Sequence, residues 1–289
     1  LDLVCETLRK SGFKGGAITD RGTLAGIWTF QKIMLEKGLK PIIGIEAFIS
    51  DGSEKRKELI LLVKNDEGYK NLLILHTKAV REDFYYKPIV KLENLLKNSF
   101  GIICIISGLD SPIAFQISRG NYKEAGEVTK FLKEVFGEDL YFQINPSLSK
   151  GSQFVMKKLY SLSLEFGVKC LFSPRVFYPK ESDKKYYDAI IAISQRKKYG
   201  EVGNDDNSFY FIKDDEMICE GELEWMKEII ATLKKNSFEI LEKCNFKIEE
   251  KKIDTLPKFL IPEDLIENFT SWKNMEVEEV LKISYTDKD

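Results

Sequence analysis

Residues 101–107 read Gly-Ile-Ile-Cys-Ile-Ile-Ser, an unbroken apolar run with a glycine before it and a serine after it. Such a run is typical of a strand covered on both faces, because a half-exposed strand alternates apolar and polar residues. Similar runs occur elsewhere in the first 173 residues, at 16–19, 41–49, 58–64, 140–144 and 169–173. We therefore predict six buried strands.

Amphipathic stretches lie between most of these runs. Residues 24–37 place Leu24, Ile27 and Leu35 on one side of a helix. The same periodicity predicts further helices at 66–80, 122–136, 152–166, 183–194 and 222–243, and a short strand at 209–213. Alternating strands and helices predict a parallel sheet, either doubly wound or closed into a barrel, and the pattern does not separate the two.

Composition excludes several classes of protein. The 289 residues include 44 Lys and Arg against 46 Asp and Glu, without the basic excess of a stand-alone nucleic-acid binder. Five scattered cysteines form no C-x-x-C pair, which favours reduced thiols in a cytoplasmic protein. No uninterrupted apolar run reaches about 18 residues, so we expect no membrane span. The chain starts at Leu1 rather than Met, which we interpret as a piece of a longer protein or a non-ATG start.

In an α/β barrel the chemistry lies at the carboxyl ends of the strands. The residues that follow the predicted strands are Asp20, Arg21, Glu46, Gly108, Leu109, Asn145, Ser147, Arg175 and Phe177. Few of them have a side chain that could act as a metal ligand or as an acid or base. Leu109 and Phe177 could never bind a metal.

Several of these segments resemble one known family. The matching stretches are A-I-T-D-R-G at 17–22, K-P-I-I-G-I-E at 40–46, K-N-D-E-G-Y-K-N-L at 64–72, F-Y-Y-K-P at 84–88, E-K-C-N at 242–245 and L-P-K-F at 256–259. They resemble, in order, segments of the N-terminal PHP (polymerase and histidinol phosphatase) domain of bacterial DNA polymerase III alpha subunits. Ordered matches over residues 3–259 are far more specific than any single motif.

The resemblance implies an α/β fold of the PHP type, a distorted seven-stranded (β/α) barrel. Its first strand would lie upstream of Leu1, and a C-terminal extension would follow the barrel. We expect the barrel domain to occupy residues 1–245. Residues 246–289 would form a linker or the start of the next polymerase domain.

The resemblance also implies a metal site, and this chain has lost most of its ligands. An active PHP domain holds several divalent metals through converging histidines and carboxylates. Here the histidine of the T-D-H-G motif is Arg21, while Asp20 and Glu46 keep the carboxylates. The other vestigial metal-site positions are Val80, Leu109, Ser147, Arg175 and Phe177. We therefore expect no catalytic residue, no metal and no other cofactor.

Arginine is expected to replace the metals. At least one of Arg21 and Arg175 should pair with Glu46 or Asp20. His76 is the single histidine of the chain and is more simply a packed residue than a ligand. The aromatic run 84–86 is expected to anchor a loop rather than to stack on bases, and residues 51–58 to form a solvated loop.

The resulting expectation is the PHP domain of a replicative DNA-directed DNA polymerase, the DNA polymerase III alpha subunit. This segment would be non-catalytic and cytoplasmic, with a structural and protein-interaction role in DNA replication. Its expected partners are the remaining domains of the alpha subunit, a proofreading exonuclease subunit and, through the parent polymerase, DNA, but no membrane. Two alternatives stay open: an active metal-dependent phosphoesterase or 3′–5′ exonuclease, and a free-standing interaction module.

Overall fold

The computed structural model describes residues 1–50, 57–144, 150–173, 176–201 and 224–249. The chain divides into two compact units, Leu1–Ile248 and Glu249–Asp289. The described helices are α1 Asp2–Lys10, α2 Ile27–Glu36, α3 Asp66–Arg81, α4 Leu92–Lys97, α5 Pro112–Ser118, α6 Tyr122–Phe136, α7 Lys150–Phe166, α8 Lys184–Gln195, α9 Glu224–Lys227 and α10 Ile230–Lys243. The strands are β1 Gly15–Ile18, β2 Lys40–Ser50, β3 Lys57–Val63, β4 Phe84–Tyr85, β5 Lys87–Lys91, β6 Ile102–Ile106, β7 Leu140–Ile144 and β8 Lys169–Phe172.

The strands form one sheet in the order β4-β5-β2-β3-β6-β7-β8, with β1 also paired to β2. The pairs β1–β2, β2–β5, β6–β7 and β7–β8 are parallel. The prediction of a wholly parallel sheet is wrong, because β3 runs antiparallel to both β2 and β6. Only residues 51–56 join β2 to β3, and a parallel crossover needs a dozen or more residues.

The two faces of the sheet pack in different ways. Alternate strand residues on the outer face, such as Ile43, Leu61 and Cys104, pack with the helices in the larger core. The inner face carries a smaller cluster, formed by Ile42, Leu62, Ile103, Ile105, Tyr141 and Leu171 together with Ile240 and Cys244. The predicted α/β fold of the barrel type is confirmed as a curled half-barrel sheet with helices.

The last part of the first unit contributes to this core. Ile240 of α10 and Cys244 just beyond it are buried against the inner face. The Gln31 side chain bonds both the backbone N–H and the carbonyl of Ile248, each at 2.8 Å. The Phe246 ring stacks on Tyr69 with centroids 4.4 Å apart. Residues 230–248 are therefore an integral part of the barrel unit.

Several sequence-derived elements need correction. The single helix predicted at 222–243 is two helices, α9 and α10, while the strand predicted at 209–213 lies outside the described residues. The aromatic run 84–86 lies in a tight β4–β5 hairpin whose single turn residue, Tyr86, has φ 58°. The rings of this run are mostly exposed, Tyr86 by 81%, so they do not anchor the hairpin in the core.

Candidate functional site

The chain that leaves β1 lies along β2 and brings two predicted site residues together. Arg21 and Glu46 form an isolated parallel bridge. The Glu46 N–H donates to the Asp20 carbonyl at 3.1 Å, and the Gly22 N–H donates to the Glu46 carbonyl at 2.9 Å. Glu46 is four residues beyond Ile42 on the same strand, so its side chain shares the inner face.

A charge cluster of three side chains occupies this position. Arg21 Nε is 3.4 Å from Glu46 Oε2, and Arg21 Nη2 contacts Glu58 Oε1. The two carboxylate side chains are only 6% and 10% exposed, whereas that of Arg21 is 47% exposed. The predicted pairing of an arginine with Glu46 is confirmed for Arg21. A single guanidinium thus bridges two buried carboxylates.

Sequence reasoning missed Glu58 as a site residue, because it placed Glu58 at the junction between a solvated loop at 51–58 and the strand predicted at 58–64. Glu58 is instead the second residue of β3, and it lies opposite Phe48 of β2. Since β3 is antiparallel to β2, its first residues lie at the same end of the sheet as the last residues of β2. The alternation of Glu58 with Ile60 and Leu62, which share the inner face, was the available signal.

Arg21 and Gly22 each make one further contact that holds the loop they share. The Arg21 guanidinium carbon is 5.6 Å from the Phe48 ring centroid, and Lys87 Nζ is 4.4 Å from the same centroid. Cations over an aromatic face are attracted to it. His76 Nε2 is 3.3 Å from the Gly22 carbonyl, to which it donates in the tautomer that carries the hydrogen on Nε2. His76 therefore supports the loop through packing and one hydrogen bond, as predicted for a packed residue.

Asp20 lies beside this cluster but is not part of its ion pairs. Asp20 is an exposed residue, but partial desolvation of its carboxyl raises the pKa of that group above the ordinary value. The carboxylate lies close to Gly26, where an added Cβ would be 2.8 Å from Asp20 Oδ2. Gly26 thus gives Asp20 room without supplying a charge partner.

The other predicted positions are unsuited to holding a metal or fall outside the described part of the chain. Val80 and Leu109 have apolar side chains that are 44% and 43% exposed. The Phe177 ring stacks on Tyr187 of α8 with centroids 5.2 Å apart. Ser147 and Arg175 lie outside the described residues.

The residues that the structure describes do not fit a cluster of divalent metals. Within the described ranges, no group of three or more His, Cys, Asp or Glu side chains could hold a metal ion. Glu46 and Glu58 already share the guanidinium of Arg21, which cannot be deprotonated in a protein. A metal ion at these carboxylates would have to displace that permanent cation.

Sequence comparison agrees with the fold. The model of the PHP domain family matches residues 1–147, about half of the chain, and the chain belongs to that family. The chain is similar to DNA polymerase III alpha subunits from Aquifex aeolicus (30% identity over 91% of this chain and 24% of the relative) and Borreliella burgdorferi (32%, 86% and 22%). The relative from Treponema pallidum is 29% identical, over 91% of this chain and 23% of its own length. The resemblance to the PHP domain of these subunits is confirmed, and the chain spans about a quarter of the curated relatives it matches.

A structural neighbour adds no argument beyond this. A crystal structure described as a metal-dependent phosphoesterase from Bifidobacterium adolescentis matches 76% of this chain and 90% of its own, at 16% identity and a TM-score of 0.27. That score is too low to support a conclusion about activity. No helix in the described ranges is long and apolar enough to cross a membrane.

Proposed function

We propose that this chain is the PHP domain of a replicative DNA-directed DNA polymerase, the DNA polymerase III alpha subunit, and that it is non-catalytic. Its role in DNA replication is structural, as a platform for protein contacts. The observation that carries the proposal is the guanidinium of Arg21, which contacts Glu46 and Glu58 where metal ions would otherwise be needed. The family membership and the alpha-subunit relatives support the parent protein.

A metal-dependent phosphoesterase needs an activated water and a cation to neutralise phosphate charge. Here the fixed positive charge of Arg21 is already neutralised by two carboxylates, and the described residues offer no free metal position that would bind a water or a phosphate. We therefore disfavour the phosphoesterase or 3′–5′ exonuclease alternative.

The proposal extends to the surroundings of the domain. The PHP unit extends to residue 248, three residues beyond the boundary at 245 expected from the sequence, and the residues that follow lead towards the rest of a cytoplasmic alpha subunit. The partners are the remaining domains of that subunit, a proofreading exonuclease subunit, and DNA held by the parent polymerase. The free-standing module is the alternative, and sequencing the gene beyond codon 289 separates the two: an immediate stop codon favours the module.

Activity assays test the absence of catalysis. The full 289-residue chain is incubated with 3′-labelled single-stranded DNA and with p-nitrophenyl phosphate, with Mg²⁺, Mn²⁺ or Zn²⁺ added. We expect no turnover above the blank. Glu46→Ala serves as the site variant and Glu127→Ala, on the exposed face of α6, as its matched control. Metal-dependent turnover that persists in Glu127→Ala and disappears in Glu46→Ala contradicts the proposal, whereas turnover equal in all three identifies a contaminant.

A further inference from the structure

Helix α8 presents an apolar stripe to solvent. Tyr186, Ile190 and Ile193 follow each other at spacings of four and three residues, so they lie on one side of the helix. They are 62%, 63% and 77% exposed. Three large apolar side chains aligned in this way differ from the isolated exposed apolar residues that are normal on a protein surface.

Other sides of α8 pack inward, with Tyr187 against the segment that precedes the helix. Ala192 is buried, and the Tyr187 ring lies 5.2 Å from Phe177 and 5.7 Å from Tyr178. Phe177 is one of the vestigial metal-site positions. Its side chain cannot bind a metal and instead packs against α8. The stripe is therefore carried by a helix with a defined orientation.

Positive charge flanks both ends of the stripe. Exposed Lys185 precedes it, with its Nζ 5.0 Å from the Tyr186 ring centroid. Arg196, Lys197 and Lys198 follow it and are exposed. The Glu201 carboxylate accepts the Lys198 backbone N–H at 3.2 Å, so three cations outnumber one carboxylate at this end. The nearest acidic residue on the helix, Asp188, is already paired with Lys184 at 2.7 Å.

The charges around the stripe indicate which kind of partner could bind there. A second copy of α8 would bring basic ends together in either relative direction, because both ends of the stripe are basic, and like charges across an interface disfavour association. An amphipathic helix with acidic flanks would satisfy both the apolar stripe and the cations. We propose that α8 is the docking surface for an acidic amphipathic helix of a partner protein, with Tyr186, Ile190 and Ile193 as its apolar anchors. This inference deepens the interaction role proposed above and rests on it.

Peptide binding tests the surface. Two fluorescein-labelled 16-residue probes share leucines at spacings of four and three residues, and one carries Glu and the other Lys at the remaining positions. Fluorescence anisotropy with the full chain should show saturable binding of the acidic probe, weakened by salt because exposed charges are screened. Ile190→Asp combined with Ile193→Asp should weaken binding by about tenfold or more, since anchors dominate such interfaces. Leu164→Asp, an equally exposed apolar position on α7, should leave it unchanged.

A second pair of variants isolates the charges. Lys197→Glu with Lys198→Glu should weaken the acidic probe several-fold and reduce its salt dependence. Lys123→Glu with Lys130→Glu, exposed on α6, should do neither. The proposal is overturned if the unaltered chain fails to bind the acidic probe, if the basic probe binds equally well, or if the control variants weaken binding equally. The proposal is also overturned if analytical ultracentrifugation shows a dimer of the unaltered chain that dissociates in the Ile190→Asp and Ile193→Asp variant. None of these outcomes depends on the catalytic assays, so failure here leaves the predicted inactivity standing.

Discussion

Removing the guanidinium of Arg21 should expose the electrostatic cost of the buried carboxylates beneath it. Breaking a fully buried ion pair costs roughly 3–5 kcal/mol, because the remaining charge is left without compensation. Here Glu46 and Glu58 are almost buried, but the Arg21 side chain is 47% exposed, so water screens part of the interaction. We therefore expect Arg21→Ala to lower the free energy of unfolding by about 2–3 kcal/mol. Urea denaturation followed by circular dichroism measures the change.

The conservative variant separates charge from geometry. Arg21→Lys keeps a positive charge but replaces the planar fork with a single ammonium group, which cannot contact two carboxylates in the same way. We expect it to lose about half of the stabilisation. A loss as large as that of Arg21→Ala would mean that the position requires the fork itself.

A double-mutant cycle decides whether the effect comes from this cluster. In a background of Glu46→Gln with Glu58→Gln, the carboxylates are neutral, so Arg21→Ala should cost less than about 0.5 kcal/mol. Lys123→Ala removes a surface pair 3.9 Å from Glu127 and should cost no more than about 0.5 kcal/mol. The reasoning is refuted if Arg21→Ala costs as little as this surface control, or if its cost is the same with and without the carboxylates.

Three further outcomes are expected. Asp20→Asn should be more stable than the unaltered chain at pH 7, because burial raises the carboxyl pKa and disfavours its charged form; the gain should vanish as pH falls below that pKa, and a pH-independent difference in urea midpoint would contradict it. Gly68→Ala should lower the free energy of unfolding by at least about 2 kcal/mol, since the added Cβ would lie 1.8 Å from the Gly101 carbonyl oxygen. Gly126→Ala should be neutral or stabilising, because its Cβ would be 3.5 Å from the nearest neighbouring atom. Equal urea midpoints for the two variants would contradict this steric explanation. Mass spectrometry of metals in the purified chain should find no stoichiometric zinc, manganese or iron, and one tightly bound ion per chain would count against the proposed loss of the site.

Local pattern was sufficient for most of the elements. The strand predicted at 140–144 and the helix predicted at 122–136 have the observed bounds, and the other predicted barrel strands differ from the structure by one residue at one or both ends. Apolar runs and helical periodicity are properties of consecutive residues, so they can be read without knowing the partners of each element. The tight β4–β5 hairpin was missed because β4 has only two residues and β5 lacks the long apolar run of the buried strands.

The direction of β3 and the composition of the charge cluster could not be predicted from local sequence pattern. From the sequence alone, Arg21 could be seen to replace a histidine of the family's metal-binding pattern, and Glu46 could be seen to remain. The sequence therefore already showed that the pattern is interrupted. Only the tertiary structure placed Glu58 on the same guanidinium, because that contact depends on the antiparallel pairing of β3 with β2. Likewise, Tyr186, Ile190 and Ile193 have the spacing of a core-facing stripe, and only their exposure in the fold makes them a surface. Spacing along the chain tells which residues share a face, whereas the packing of distant segments decides what that face meets.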